Sequence, residues 1–314
     1  MSKRVLVVSS ANMDIKLPIR EMPAAGETLL CDGSVSYSPG GKGANSAVTF
    51  AALGAETVLC ARIGRDSHGE SLYDFYKEKG IDVRHIAIDR EQPTGCAVVF
   101  VDNMGQNRIL AYPGANSYLS ERDVDEGFLS CPDALYLQME IGQNAFFAAA
   151  NYAHRHDIPI FVDAGPARAD FPFDRMPPVK VFSPNETETE IYTGITPDTP
   201  ENCKRAAIAL LQRVKAKYIV LKLGARGVGI YDAEKGGEVI ILPTYPIKVV
   251  DSVAAGDAFT AALTLEYIRS GDIYRAARFG NVVGTLTVSK RGAGDSIPTA
   301  AECDAFMAER GIEL

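Results

Sequence analysis

The chain has 314 residues, of which 46% are hydrophobic and 23% are charged, so it can bury a large core and is not expected to be disordered. Its formal net charge of −8 excludes a protein that coats nucleic acid with a basic surface, although backbone N–H groups can still bind an anion locally. We therefore expect no nucleic-acid partner.

Short apolar runs alternate with helical patterns along the chain. The runs are continuous, which is typical of strands buried on both faces of a parallel sheet: Val5–Val8, Val58–Ala61, Ala134–Leu137, Ile158–Val162, Val179–Phe182 and Tyr218–Leu221. Helices are predicted between them at Ala44–Leu53, Gly69–Lys79, Ala145–His154 and Asn202–Val214. Alternating strands and helices predict a doubly wound, mostly parallel α/β sheet of the Rossmann-like kind, and we expect one domain over residues 1–314.

Two segments interrupt this alternation, Thr28–Ser38 and Thr94–Tyr112, and both have the pattern of hairpin strands. In the second segment, Asn103-Met104-Gly105 supplies a turn. We expect a small antiparallel sheet, inserted from roughly residues 15–40 and 94–113, that projects from the core. Its apolar face must cover a ligand or a partner, unless the hairpins are decorative. A lid is favoured because the sheet adjoins a glycine cluster.

The end of the chain is predicted to be mostly helical, in Ala258–Ser270, Ile273–Ser289 and Ala300–Arg310. Earlier, Asn185 and the acidic run Glu186–Glu190 fit the start of another helix, where negative charge faces the positive end of the helix dipole.

Neither export nor membrane insertion is expected. The first apolar run is shorter than the roughly 7–15 residues of a signal-peptide core, and nowhere do about 18 apolar residues follow one another. His154 and His156 close a predicted helix, where we expect them in solvent. The cysteines lack metal-binding spacing, so we interpret all six as buried thiols in a reducing cytoplasm: Cys31, Cys60, Cys96, Cys131, Cys203 and Cys303.

The segment Asp251–Phe259 follows a predicted strand, Ile247–Val250, and opens a helix. Small residues would let a ligand approach the free N–H groups at the helix start, which form a natural anion site: Ala254, Ala255 and Gly256. Asp257, in the first turn, is placed to take a proton from a hydroxyl that attacks a phosphate held there. Helix capping by Asp251 or Ser252 is the structural alternative.

A second glycine cluster, Ser38–Asn45, also precedes a helix. It lacks the spacing of a P-loop and that of a dinucleotide fingerprint, but its glycines let backbone amides reach a polar ligand. Asn45 is in the first turn of that helix, and Asn12 and Asp14 come just past the first strand, where ligands bind in a doubly wound sheet. One carboxylate, two amides and free N–H groups suit the vicinal hydroxyls of a sugar.

Together these segments resemble, over essentially the whole chain, the ribokinase family of carbohydrate and nucleoside kinases, of the phosphofructokinase-B type, and its ribokinase branch most closely. The matching segments, in chain order, are Asn12 with Asp14, Gly40–Asn45, Gly64–Gly69, Glu140, Pro184–Glu188, Leu223–Gly227 and Asp251–Asp257. The resemblance implies the ribokinase fold with its lid, and transfer of the ATP γ-phosphate to a sugar, foremost to O5 of D-ribose to give ribose 5-phosphate and ADP.

The resemblance also implies roles for single residues. Asp257 would be the catalytic base, and the amides of Ala254, Ala255 and Gly256 would form the anion hole. The residues implied to bind the sugar are Asn12, Asp14, Gly41, Lys42, Asn45, Glu140 and Asp257. Those implied to bind ATP are Asn185, Lys222, Leu223, Gly224, Ala225, Arg226, Gly227, Gly256 and Asn281. Arg226 and Lys42 are alternatively solvated surface residues.

The implied cofactors are ATP, Mg²⁺ and a monovalent cation, K⁺. Asn185 and Glu188 match the positions that hold magnesium, largely through water. The positions around the monovalent cation are Asp251, Val253, Thr287, Lys290, Gly292 and Ser296. The family's lid sheet often forms a dimer contact, so a homodimer is implied as well.

The chain departs from the family pattern at a few positions: Ser9 replaces a glycine, Ser252 a threonine, Asn281 a histidine and Lys222 a threonine or serine, and the turn Asp163–Pro166 replaces Asn-Pro-Ala-Pro. The alternative functions are a kinase of the same family for a nucleoside, fructose or another sugar, and an NAD-dependent oxidoreductase. The latter is disfavoured because no glycine fingerprint follows the first strand. A non-catalytic sugar-binding protein is disfavoured because the candidate base is present.

Overall fold

The fold is built on two sheets in the computed structural model, which describes residues 2–31, 33–102 and 107–314. Its strands are β1 (Arg4–Val8), β2 (Asn12–Pro18), β3 (Ser36–Gly40), β4 (Glu56–Gly64), β5 (Ile86–Asp89), β6 (Gly95–Val101), β7 (Asn107–Tyr112), β8 (Ala134–Gln138), β9 (Ile160–Asp163), β10 (Val179–Ser183), β11 (Ala216–Lys222), β12 (Val228–Asp232) and β13 (Ile240–Leu242). Its α-helices are α1 (Lys42–Ala52), α2 (Ser67–Glu78), α3 (Glu121–Phe128), α4 (Gln143–Arg155), α5 (Glu186–Thr193), α6 (Pro200–Leu211), α7 (Ala255–Ser270), α8 (Ile273–Val288) and α9 (Ala300–Arg310).

The main sheet has nine strands in the order β13-β12-β11-β10-β9-β8-β1-β4-β5. All neighbours are parallel except the pairs β11–β12 and β12–β13. The six predicted strands all belong to this sheet, which confirms the doubly wound, mostly parallel architecture. Their apolar runs are continuous because helices cover both faces, so successive side chains of a strand are buried on opposite sides.

Strand β1 shows this two-sided burial. Val5 and Val7 pack into the core with α1, α2, α7, α8 and α9, whereas Leu6 and Val8 pack into the core with α3, α4, α5 and α6. All four side chains are fully buried, and each such burial stabilises the fold by roughly 1.5–3 kcal/mol. No helix within the described ranges combines the length and the apolarity needed to cross a bilayer.

The smaller sheet has the order β3-β2-β6-β7, with two antiparallel pairs and one parallel pair, β2 with β6. This small inserted sheet is present as predicted, and only three residues, 9–11, separate β1 of the main sheet from β2. Its first hairpin prediction was partly wrong: the strand occupies Ser36–Gly40, and Thr28–Val35 contains no strand among its described residues. The predicted turn at 103–105 lies outside the described residues.

Two further predictions were wrong. Ile247–Val250 is not a strand. Its backbone pairs with a helix instead of a strand, since Val250 N donates to Val288 O of α8. Of the cysteines, Cys31 and Cys131 are exposed and Cys96 is half-buried, although all six are free thiols. Cys131 ends a tight turn after α3 with φ of 53°, which directs it to the surface.

Candidate active site

Helices α1 and α7 pack against each other and both begin at the carboxyl end of the parallel strands. The glycines before and within α1 are required there. Gly41, the N-cap residue, has φ of 100°, which favours glycine, and a Cβ at Gly43 would overlap the side chains of Gln138 and Ser9. Ser9, one of the departures noted above, is fully buried against this turn. The glycine cluster therefore brings the helix start down onto the strand ends.

The start of α7 has no side-chain cap among the described residues, and Ala255 N makes only a long hydrogen bond, to Ser252 O at 3.4 Å. Its N-cap residue, Ala254, adopts a left-handed conformation with φ of 61°. Such a conformation costs a non-glycine residue on the order of 1 kcal/mol and is typical of functional turns. The three anion-hole candidates are partly exposed and lie together in this turn: Ala254, Ala255 and Gly256.

Asp257 lies at the junction of the two helices. Its side chain is only 8% exposed, and its Oδ2 accepts a hydrogen bond from Asn45 Nδ2 at 2.9 Å. Lys42 Nζ lies 3.6 Å from the other carboxylate oxygen. Burial raises the pKa of Asp257 to about 6, against the opposing effect of Lys42 and with a further contribution from Asp163. A carboxyl with that pKa is ionised near neutral pH and is still basic enough to take a proton.

The lid strand β2 and the end of β8 bring the other sugar-binding candidates to this junction. Glu140 accepts hydrogen bonds from Lys42 N at 2.9 Å and from Ser10 Oγ at 2.5 Å. The Asp14 side chain lies over Gly40, where a Cβ would overlap it. Burial, and then the nearby charge of Glu140, raise the pKa of Asp14 to about 7. Two carboxylates therefore face one polar recess.

Asn12 is buried in β2, and its Oδ1 accepts a hydrogen bond from Asn116 Nδ2 at 2.8 Å. Asn116 is in turn fixed by Ala11 N, which donates to its Oδ1 at 2.8 Å. Asn116 was not predicted from the sequence, because a single asparagine in a short turn carries no spacing signal. It orients Asn12 and leaves the Nδ2 group of Asn12 for a ligand.

Lys42 is not a solvated surface residue. Its backbone bonds Glu140 and its amine lies among carboxylates, of which Asp257 contributes most to raising its pKa, followed by Asp163, Glu188 and Glu140. Burial opposes this rise without cancelling it. Lys42 thus provides a positive charge among these carboxylates, closest in effect to Asp257.

The nucleotide-side candidates follow β10 and β11. Asn185 and Glu188 form a capping box at α5, in which Asn185 Oδ1 accepts from Glu188 N and Glu188 Oε2 accepts from Asn185 N, both at 2.8 Å. The second oxygen of Glu188 faces Gly165, where a Cβ would overlap it. Carboxylate and amide oxygens are the donors that Mg²⁺ prefers, with water completing its shell, so this pair fits magnesium.

The loop Lys222–Gly227 lies beside Asn185, since Lys222 N donates to Pro184 O at 2.9 Å. The loop residues 224–226 are exposed, so their backbone is open to a ligand. Arg226, however, gives its guanidinium to Glu186 at 2.6 Å and to the carbonyls of Pro197 and Asp198, which anchor the loop to α5 and α6.

The side chain of Asn281 also makes hydrogen bonds within the protein. Its Nδ2 donates to the carbonyls of Leu242 and Pro243 at 3.2 and 3.0 Å, which holds the segment after β13 against α8. Neither Asn281 nor Arg226 therefore directs its side chain into an open recess in this conformation.

The monovalent-cation candidates surround the segment that precedes α7. Asp251 Oδ1 accepts from Val253 N at 3.1 Å and its Oδ2 from Gly292 N at 3.2 Å. Lys290 N donates to Thr287 O, while the Lys290 amine is 2.6 Å from Glu302 and so points elsewhere. Thr287 and Ser296 are buried, and their hydroxyls bond backbone carbonyls. Both carboxylate oxygens of Asp251 thus accept backbone N–H groups, and a K⁺ site at these residues stays a prediction from the resemblance.

Comparison with known proteins identifies the family. The model of the pfkB family of carbohydrate kinases matches residues 2–300. The chain is 31% identical over 310 residues to a ribokinase of Haemophilus influenzae, and the match covers 98% of this chain and 99% of that protein. It is 32% identical over 305 residues to a ribokinase of Staphylococcus aureus, and that match covers 96% of this chain and 99% of that protein. The structure of Arabidopsis thaliana ribokinase complexed with ribose and ATP superimposes with a TM-score of 0.86 at 28% identity, covering 98% of this chain and 99% of that one. The chain therefore belongs to the pfkB family of carbohydrate kinases.

Proposed function

We propose that the chain is an ATP-dependent sugar kinase that transfers the γ-phosphate of ATP to a primary hydroxyl, foremost O5 of D-ribose, to give ribose 5-phosphate and ADP. The observation that carries this proposal is the contact between Asp257 and Asn45. It joins a carboxylate at an uncapped helix start to the helix that follows the glycine cluster, so a phosphate and a hydroxyl bound at these two places are neighbours.

In the proposed reaction Asp257 takes the proton of the acceptor hydroxyl as its oxygen attacks the γ-phosphorus. The bond from that phosphorus to the bridging oxygen of ADP breaks, and the electron pair leaves with ADP. The amides of Ala254, Ala255 and Gly256 stabilise the charge on the transferring group. Lys42 keeps Asp257 ionised until the proton arrives. Mg²⁺ held near Asn185 and Glu188 would neutralise phosphate charge.

The acceptor class follows from the charges in the recess. Glu140 and Asp14, which with its pKa of about 7 is about half ionised at neutral pH, accept hydrogen bonds from hydroxyls and repel anions, so a neutral polyol is favoured over a sugar acid or a sugar phosphate. Asn12 and Asn45 add amides that orient the hydroxyls. We therefore rank ribose first and keep fructose, other neutral sugars and nucleosides as the alternatives within the same activity.

Three further features belong to the proposal. K⁺ bound by Asp251 and the carbonyls near Lys290 would stiffen the segment before α7.

The lid sheet exposes large apolar side chains that suit a homodimer contact: Tyr37, Ile109, Leu110 and Tyr112. Cytoplasm, where ATP is made, is the expected compartment, and a single domain remains the expected organisation.

The test is a coupled ADP-release assay with ribose, 2-deoxyribose, fructose, nucleosides, a sugar phosphate and a sugar acid. We expect turnover with neutral sugars, highest with ribose. Asp257→Asn should lower kcat by about 10²–10⁴-fold with little change in nucleotide affinity, because it keeps the shape but removes the base. Asp272→Asn, the same change at the exposed N-cap of α8, is the matched control. Turnover by Asp257→Asn close to that of the unchanged protein would refute the mechanism.

A further inference from the structure

The ends of β9 and β11 carry a buried ion pair that the reaction described above does not use. Lys222 Nζ lies 2.5 Å from Asp163 Oδ2, and the two side chains are 12% and 1% exposed. Burial alone would raise the pKa of Asp163, but Lys222 and Lys42 outweigh it and hold the pKa below its ordinary value. Asp163 is therefore held in its ionised form beside the amine of Lys222.

The pair lies against the start of α7. A Cβ built on Gly256 would be 3.7 Å from Lys222 Cδ and 3.8 Å from its Nζ, so the lysine stem crosses the first turn of the helix. Asp163 is tied to the same helix one turn later, because Thr260 Oγ1 donates to its Oδ2 at 2.8 Å. The ammonium is thus fixed beside the amides that form the anion hole.

The ammonium also has capacity left for a ligand. It carries three N–H donors, and Asp163 accepts one hydrogen bond from it. No other protein acceptor within the described ranges lies at hydrogen-bond distance from it. A buried ion pair adds little stability by itself, since the loss of hydration offsets the attraction of the charges. Two free donors next to uncapped amides therefore favour a role toward an anion.

We propose that Lys222 is a further catalytic residue whose ammonium binds a non-bridging oxygen of the transferring phosphoryl group, and that Asp163 is the positioning residue that holds it beside Gly256. This inference rests on the proposed function. Lys222 stays protonated throughout: the acceptor proton goes to Asp257, and the electron pair of the broken bond leaves with ADP. The ammonium stabilises the charge on the group between the two oxygens.

Lys222→Met, which keeps most of the stem and removes the charge, should lower kcat by about 10²–10³-fold, the usual cost of losing one charge-stabilising donor. Lys222→Arg should retain more activity. Calorimetric titration with Mg²⁺ present should show binding of the β,γ-imido analogue of ATP weakened at least about tenfold in Lys222→Met, with ADP binding within about twofold, because ADP lacks the γ-phosphoryl group.

Asp163→Asn keeps a group that can bond Thr260 and should lower kcat less than Lys222→Met. Adding Asp163→Asn to Lys222→Met should cause no further loss, because Asp163 acts through Lys222. The double variant leaves no unpaired buried carboxylate, so it provides the measurement if Lys222→Met alone fails to fold. Lys204→Met removes a lysine from another 2.5 Å ion pair, with Glu238 on the surface, and is the matched control.

Unchanged kcat in the folded Lys222 variants, or equal weakening of both nucleotides, would overturn the assignment and leave the pair a purely structural link. The two proposals fail separately. If the unchanged protein phosphorylates no acceptor, the kinase function fails, while the comparison of the two nucleotides still decides the role of Lys222. If it turns over ribose and Lys222→Met does so equally well, only the assignment of Lys222 fails.

Discussion

The carboxylate of Asp257 should make the ligand-free protein less stable, because it is ionised in a place that disfavours charge. Its pKa is about 6 in the folded protein and 3.8 in an exposed carboxyl. Below about pH 3 the group is protonated in both states and has no cost. As the pH rises to about 6, the unfolded chain releases its proton first, so the stability of the fold declines. The decline amounts to about 3 kcal/mol, at about 1.4 kcal/mol for each pH unit between the two pKa values.

Asp257→Asn removes this cost while keeping the acceptor for Asn45. In this variant the amine of Lys42 still has the carboxylates of Asp163 and Glu188 nearby, so its charge is not left without a counter-charge. The variant should therefore turn over far more slowly and yet be about 3 kcal/mol more stable than the unchanged protein at pH 7.5, a gain that shrinks to about 0.5 kcal/mol at pH 4. That corresponds to several degrees in Tm.

Urea unfolding between pH 4 and 8 measures this difference. Far-UV circular dichroism is the appropriate signal, because the chain contains no tryptophan. Titratable groups far from Asp257 contribute equally to both proteins and cancel in the comparison, whereas the charges that interact with Asp257, such as that of Asp163, are part of the effect measured. Asp272→Asn should follow the unchanged protein at every pH. Two parallel stability curves for Asp257→Asn and the unchanged protein would refute the reasoning, since they would mean that burial does not raise the pKa of Asp257.

Three other predictions concern the acceptor and cation sites. Asn116→Ala frees the side chain of Asn12, so steady-state kinetics should show a several-fold higher KM for the sugar at nearly constant kcat; an unchanged KM would contradict the positioning role. Because the pKa of Asp14 is raised to about 7, the KM for the sugar should fall as the pH rises from 6 to 8, and Asp14→Asn should remove that dependence; a KM that does not vary with pH would count against it. Replacing K⁺ by a large organic cation at constant Mg²⁺ should lower kcat, and Asp251→Ala should make the enzyme insensitive to this exchange; an unchanged protein that is already insensitive would exclude the cation site.

The sequence predicts the buried strands well and the edges poorly. Runs such as Ala134–Leu137 are continuously apolar because both faces of their strands are covered by helices, so every side chain is buried. This continuous apolar pattern can be read in the sequence. The edge strand β13 and the wrongly predicted Ile247–Val250 are both short apolar runs flanked by polar or proline residues. Which of the two runs pairs with a neighbouring strand depends on the assembled fold, and the residue types do not encode it.

The candidate site shows a similar division. Asp257 and Asn45 were selected by their positions at helix starts, and the structure brings their side chains into contact although 212 residues separate them. Asn116 and Asp163 were missed, because each is one polar residue whose importance comes from a partner far away in the chain. A signal did exist for Asp163: it immediately follows the predicted strand Ile158–Val162, at the edge of the sheet where ligands bind.

The origin of Asp14 in the lid has a consequence for how acceptor preference can change. The candidate base and the anion hole belong to α7, which is packed deep in the main body, whereas Asp14 belongs to β2 of the projecting sheet. Under the proposed assignment, mutations in that sheet alter which sugar is accepted and leave the phosphate chemistry intact. Substrate range in this protein is thus evolvable, and open to engineering, by exchanging a peripheral module.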